Sequence, residues 1–456
     1  MGLNRLVTAI IVTIGGAFTL SPNAFAQDVP ANSPIVAAPG SNQSAGGPTV
    51  WNANQETSAL NGDRTLDPEY QPKGVPLGLF RLFPTLNTSV SYDDNVFRQS
   101  TAEKSDVFFV ENPSLVLDYE TNEAHVDLYA DGTFDQYLKQ TTVGDSQYDF
   151  GTKGSYLITR ALQMSGNISF SQLAESLSST DTVASQNQPN LYTLFDVSGQ
   201  MQYKPNRLGF TFGGGRDAYH YFNTPEFGGG ELDNSDRSNT VSRGFGEVSY
   251  DFSPGYSGYV KATYNEDEFE QYFDRSGYHR DSHGYQIDAG VTLLLSNLVQ
   301  GTLYVGYIDQ MYSHQQQPGL ASLNDISGLD FGANLAWYPT ELLTVKLTAS
   351  RQIVNTTFAG SSGGDDRNVN LSASWEISRQ MFLNASVGYD DTDYPGAGTN
   401  FTDLDETTPT FGVGVKYIIS HYAQVQLNYN YSTRNATFSG LNYNDNLVSL
   451  GLNLQI

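Results

Sequence analysis

The sequence predicts an all-β protein, a single transmembrane antiparallel up-and-down β-barrel of about 18 strands. Three observations lead there. The last nine residues alternate strictly, Val448, Leu450, Leu452, Leu454 and Ile456 against Ser449, Gly451, Asn453 and Gln455, so every apolar side chain falls on one face of a strand. The same period of two recurs from Leu86 onward in segments of about ten residues, the length a tilted strand needs to cross a bilayer. Tight turns and longer polar loops join these segments alternately, the asymmetry between the periplasmic and exterior ends of such barrels.

Composition narrows the class further. The 456 residues include 44 Gly, 29 Tyr and no Cys, and their formal charge is -26. Abundant glycine and aromatics with few charges suit a large β structure. Without cysteine there is no disulfide framework, thiolate metal site or lipid anchor on sulfur. The acidic balance excludes a nucleic-acid partner, whose phosphates need a basic stripe.

In chain order, residues 1–26 read as a secretory signal peptide: Arg5 is the positive start, Leu6 to Leu20 the apolar run, and Ala24-Phe25-Ala26 the small-residue cleavage site. That run is too short to span a membrane as a helix. Residues 27–80 form a low-complexity periplasmic segment; as far as about residue 64 it is rich in Ala, Pro, Asn, Gln, Ser and Gly and too poor in apolar residues to order itself, and from Thr65 its character changes toward the first strand. Residues 81–456 make the barrel.

Its clearest strands show one apolar and one wet face. Ala124, Val126, Leu128, Ala130 and Phe134 oppose His125, Asp127, Tyr129, Asp131 and Asp135, while Leu162, Met164, Gly166, Ile168 and Phe170 oppose Gln163, Ser165, Asn167, Ser169 and Ser171. The pattern repeats through Leu343 to Ala349, Val369 to Ile377 and Ala423 to Tyr429. Tight turns are expected near Thr121, Arg160, Pro205, Pro254, Ser296, Pro339, Arg379 and Ser420. A repeat of roughly 40 residues also suits a propeller, but each period divides into two long strands and no Trp-Asp blade signature occurs. Aromatics form two levels, with Tyr156, Tyr203, Phe252, Trp337, Trp375 and Tyr417 before tight turns and Tyr148, Tyr264, Tyr285, Tyr307 and Tyr389 toward the loops. Two headgroup zones select such girdles.

The final strand resembles the insertion signal that the barrel assembly machinery reads in outer-membrane proteins, with Gly451, Leu454 and Ile456 as its marks. Ile456 stands where an aromatic residue is usual. At Asp67-Pro68-Glu69-Tyr70, Pro72-Lys73-Gly74, Phe83-Pro84 and Ser91-Tyr92-Asp93-Asp94-Asn95-Val96-Phe97-Arg98, the chain resembles the type-2 outer-membrane β-barrel porin family. That resemblance implies an outer-membrane location, contact with lipid and lipopolysaccharide, and a role in exopolysaccharide or capsule export with other export components.

With apolar faces toward lipid, the lumen is lined by the acids Asp118, Asp127, Asp131, Asp135, Asp149, Asp196, Glu247, Asp251, Asp288, Asp330 and Glu376. The bases on the same face are Lys153, Arg243, Lys261, Lys346 and Lys416. Acids outnumber bases, so the lumen should favour cations. Tyr129, Tyr259 and Tyr304 add aromatic faces suited to sugar rings. No catalytic residue, cofactor or metal is expected. His279 and His283 lack the further ligands of a tetrahedral site, and the acids of 266–268, 390–393 and 403–406 lack a calcium-loop spacing. The loops offer no evident constriction. The expected function is a passive solute channel, with polysaccharide export as its specialised form. A structural or adhesive barrel is the alternative, and an enzyme barrel a more distant one.

Overall fold

A strand with one apolar and one polar face must bury neither its backbone edge nor its polar side in lipid, and closing the sheet on itself satisfies both demands. In the computed structural model this closure is complete. The model describes residues 49–50, 68–182, 186, 188–226, 229–295, 298–396 and 403–456; the expected signal peptide and all of 27–67 except 49–50 lie outside the described residues.

Eighteen long strands form the wall: β1 (Phe80–Asp93), β2 (Asp106–Glu120), β3 (Ala124–Tyr137), β4 (Ser146–Thr159), β5 (Leu162–Ala174), β6 (Leu191–Tyr203), β7 (Leu208–Tyr221), β8 (Asn239–Ser253), β9 (Tyr256–Phe269), β10 (Ser282–Leu295), β11 (Val299–Tyr312), β12 (Ile326–Thr340), β13 (Leu343–Val354), β14 (Gly364–Ser378), β15 (Met381–Tyr394), β16 (Leu404–Ser420), β17 (Ala423–Ala436) and β18 (Tyr443–Gln455). Each pairs antiparallel with its successor, and β18 returns to β1 in register from Thr85↔Gln455 to Asp93↔Leu447. The C-terminus is tied down as well, since Ile456 O accepts the Gly74 amide at 3.0 Å.

Which face meets lipid follows from exposure. Leu128, Ile168, Val260, Ile287, Leu371, Val387 and Leu450 are exposed along the outer wall. Above and below them stand exposed aromatics: Tyr156, Tyr203, Phe252, Trp337, Trp375 and Tyr417 near the short turns, and Tyr148, Tyr264, Tyr285, Tyr307 and Tyr389 near the loops. The strands run from 12 to 17 residues, longer than the bilayer requires, so their outer ends project beyond it.

The apolar clusters lie at that projecting end rather than at mid-membrane. The largest gathers Tyr278, Ile308, Tyr312, Leu323, Ile326 and Ile353. It sits beside an opening in the wall, where β12 and β13 stop pairing beyond Gly332↔Ser350. Arg351 fills part of the gap by donating to the carbonyls of Leu329 (2.8 Å) and Ser327 (3.4 Å), and the Thr49–Val50 piece pairs with Val354 and Ile353.

Candidate functional site: the polar interior and its outer mouth

The inner face is set by register. Alternation places Asp127, Lys261, Asp288 and Asp330 opposite the exposed Leu128, Val260, Ile287 and Leu329, and all four charged side chains are buried. Asp127 meets Lys153 Nζ at 3.6 Å and His125 Nε2 at 3.3 Å. Asp149 accepts from Ser171 at 2.9 Å, and Asp131 lies directly across the ladder from it. Glu247 stands across from Lys261, which in turn stands across from Asp288 and holds its Nζ 4.3 Å from the Phe245 ring.

Asp288 and Asp330 are fully buried, and Gln286 donates to both, at 2.9 and 2.5 Å. Arg243 joins Asp196 to Asp217, an inward acid of β7 that the sequence reading left out. Lys416 lies 4.8 Å over the Phe382 ring, Lys346 is half-buried across from Ser372, and one Asp135 oxygen is buried without a partner. In the terminal strand, Gly451 pairs with Gln426 and Ser89, while Leu454 and Ile456 are exposed.

The three tyrosines lie down on the wall. Tyr129 is in register with Gly151, Tyr259 with Gly290 and Tyr304 with Gly332. A side chain at Gly290 or Gly332 would run into the neighbouring ring, so glycine is what allows each ring to rest on the adjoining strand. Each then covers backbone instead of projecting into the lumen. Nothing in strand alternation signals this, because it depends on which residue the neighbouring strand presents.

The outer mouth departs furthest from expectation. Residues 175–182, which follow β5, fold inward and make a constriction that the sequence reading did not foresee. Arg237, from the β7–β8 loop, donates to both Glu175 oxygens at 2.7 and 2.8 Å and lies 3.4 Å from Asp181. Asp181 Oδ1 then accepts from Thr356 Oγ1 (2.8 Å), Thr357 N (2.7 Å) and Thr357 Oγ1 (3.0 Å) in the β13–β14 loop. Thr180 donates to Glu406 at 2.7 Å, and Arg434 donates to Ser178 O at 2.5 Å. Since β5 and β13 are eight places apart in a ring of eighteen, these contacts cross the lumen.

Neighbouring loops complete the closure. Arg275 grips Asp236 at 2.7 Å, and Arg280 joins Asp274 (2.5 Å) to Ser361 O (2.8 Å). Asp267 accepts from Asn239 and Asn355 at 2.6 and 2.7 Å. A small cavity remains among Asp181, Arg237, Asp274, Arg280, Asn355 and Thr356. Burial acts to raise the Glu175 carboxyl, but Arg237 beside it outweighs burial and holds it below its ordinary value. Arg275 does the same for Asp236.

The family motif has a separate place, at the seam where the barrel closes. Arg98 bridges Asp93 (2.9 Å) and Asp445 (2.8 Å), Asn95 donates to Asn444 O at 2.8 Å, and Asn446 donates twice to Asp94 at 2.8 Å. The acids expected in exterior loops are mostly on strand ends, as with Asp391, bound to Arg367 at 3.0 Å. His279 is engaged by Asp281 (2.9 Å) and Ser313 (2.8 Å), and no group of metal ligands among the described residues includes it or His283.

A closed barrel of this width, apolar outside and charged within, defines an outer-membrane channel protein. The family described as "Putative beta-barrel porin 2" matches residues 67–456, and the chain belongs to it. No curated protein matches the sequence. Among solved structures, it is similar to the outer membrane protein OpdK from Pseudomonas aeruginosa, with a TM-score of 0.43 and 10% identity over 82% of this chain and 99% of that one. A BenF-like porin from Pseudomonas fluorescens gives 0.43 and 10% over 83% and 99%.

Proposed function

We propose that the barrel passes small polar solutes passively across the outer membrane, with a preference for cations, and that residues 175–182 gate its outer mouth. The observation that carries this reading is the buried latch of Glu175, Asp181 and Arg237 set over a lumen rich in carboxylates. Steered by that field, cations concentrate along the inner wall and anions are held off. A latched mouth favours intermittent passage of small molecules over continuous threading of a polymer, so the export role implied by family resemblance is the weaker form of the proposal.

The test is single-channel conductance of the refolded protein in a planar bilayer, in asymmetric salt, with neutral and acidic oligosaccharides added in turn. Openings with a reversal potential on the cation side are expected. Because the Lys153 ammonium lies 3.6 Å from Asp127, charge removal at Asp131 and Asp135 should cost more selectivity than at Asp127, roughly two- to threefold in permeability ratio. A folded protein that never conducts under any condition points to the structural or adhesive barrel instead.

A further inference from the structure

Asp118 and Asp127 face each other directly across the β2–β3 ladder, and His125 stands two residues before Asp127 on the same inner face. Like charges directly opposite are unfavourable in an antiparallel pair. Here the two carboxylates also converge on one imidazole nitrogen: His125 Nε2 lies 3.1 Å from Asp118 Oδ1 and 3.3 Å from Asp127 Oδ1. A ring nitrogen carries at most one hydrogen, so it cannot serve both oxygens well, whereas a point cation among the three donors can.

The spacing suits a metal. All three donor atoms lie within 4.8 Å of one another. In a tetrahedral zinc site, ligand atoms about 2.0–2.2 Å from the metal are roughly 3.3–3.5 Å apart, close to the two separations from His125 Nε2, 3.1 and 3.3 Å. Glu120 is in register with His125 on the same face, exposed beside the tight turn, and so placed to supply a fourth oxygen. Lys153 is the competitor for Asp127, at 3.6 Å, but its side chain is 63% exposed and free to swing away. Arg81, the partner of Asp118 on β1, donates one guanidinium N–H to Lys73 O at 3.0 Å and forms no ion pair with Asp118. The second acidic group of the barrel, Asp93, Asp94 and Asp445, differs in already holding the Arg98 guanidinium.

We propose that Asp118, His125 and Asp127, with Glu120, form a divalent-cation site of the zinc type on the inner wall, at the end of the barrel that carries the short turns. One imidazole with two or three carboxylates is a borderline donor set that prefers zinc or cobalt to magnesium. The proposal stands apart from the channel reading, because it is tested by binding.

The experiment is titration of the full refolded barrel in detergent with Co2+, read by visible absorption, and with Zn2+, read by calorimetry. One equivalent of Co2+ should give the intense bands of a tetrahedral site, and Zn2+ should displace it. His125→Ala and Asp127→Asn should each remove the bands and weaken Zn2+ binding at least tenfold, while His279→Ala changes neither. Folding of each variant is checked by heat-modifiable gel migration. If a variant does not fold, protection of His125 in the wild-type protein from diethylpyrocarbonate by Zn2+ decides the matter. Absence of a stoichiometric band, binding that survives in folded His125→Ala, or lack of protection overturns the site.

Discussion

At the outer end of the barrel, Arg98 and Arg237 each lie between two buried carboxylates, but they join different things. Arg98 links Asp93 of β1 to Asp445 of β18, adjacent strands already paired along their length. Arg237 holds Glu175 and Asp181, whose loop reaches the far wall through Thr356, Thr357 and Glu406. The first arrangement fastens a wall that backbone hydrogen bonds would hold anyway. The second is one of several side-chain attachments that hold residues 175–182 across the lumen, where no strand pairing fixes them, so on the gating proposal the same chemistry gives rigidity at one place and a releasable contact at the other.

The largest expected effect separates the two. Arg237→Ala leaves two buried carboxylates without their cation, a loss of about 3–5 kcal/mol by analogy with other broken buried pairs. It should raise channel open probability several-fold while heat-modifiable gel migration stays as in the wild type. Arg98→Ala should do the reverse, lowering the temperature at which the barrel unfolds on a gel series and leaving conductance unchanged. If both substitutions act on stability alone, the latch is merely structural.

Acid should release the latch more gently. The Glu175 carboxyl is held below its ordinary value of 4.5, so the stability it contributes is fully present above that pH and is lost as pH falls through the lowered value. Asp236, held down by Arg275, acts in the same direction. Conductance recorded at falling pH should therefore rise as pH drops below the ordinary Glu175 value of 4.5, and Glu175→Gln should flatten that rise. A conductance that falls steadily with acid would instead reflect protonation of the lumen acids alone.

The wall was legible in the sequence because a strand writes its two faces into every second residue. Val448 to Ile456, the hairpin around Thr121 and the aromatic girdles all follow from local pattern. The latch was not legible, since Asp181 and Thr357 are 176 residues apart and no periodicity links them. The resting place of Tyr304 likewise depended on Gly332 one strand away, and the convergence of Asp118 with His125 depended on a turn length known only to within a residue or two. Even the most specific motif, Asp93 to Arg98, carried family likeness without revealing that its partners are Asn444 to Asn446. Alternation fixes which face a residue occupies, and only register across the ladder fixes what it meets.

The most direct measurement uses the absence of cysteine from the chain. Asp181→Cys with Thr357→Cys places a disulfide where Asp181 accepts the Thr357 amide at 2.7 Å. With the bridge verified by mass, the oxidised channel should stay closed, and reduction should raise the open probability of the same channels within the recording, because residues 175–182 then lack both the bridge and the Asp181 carboxylate and retain the Glu175–Arg237 pair and the Thr180 and Ser178 contacts. Equal conductance before and after reduction would contradict the account and place the gate elsewhere in the lumen.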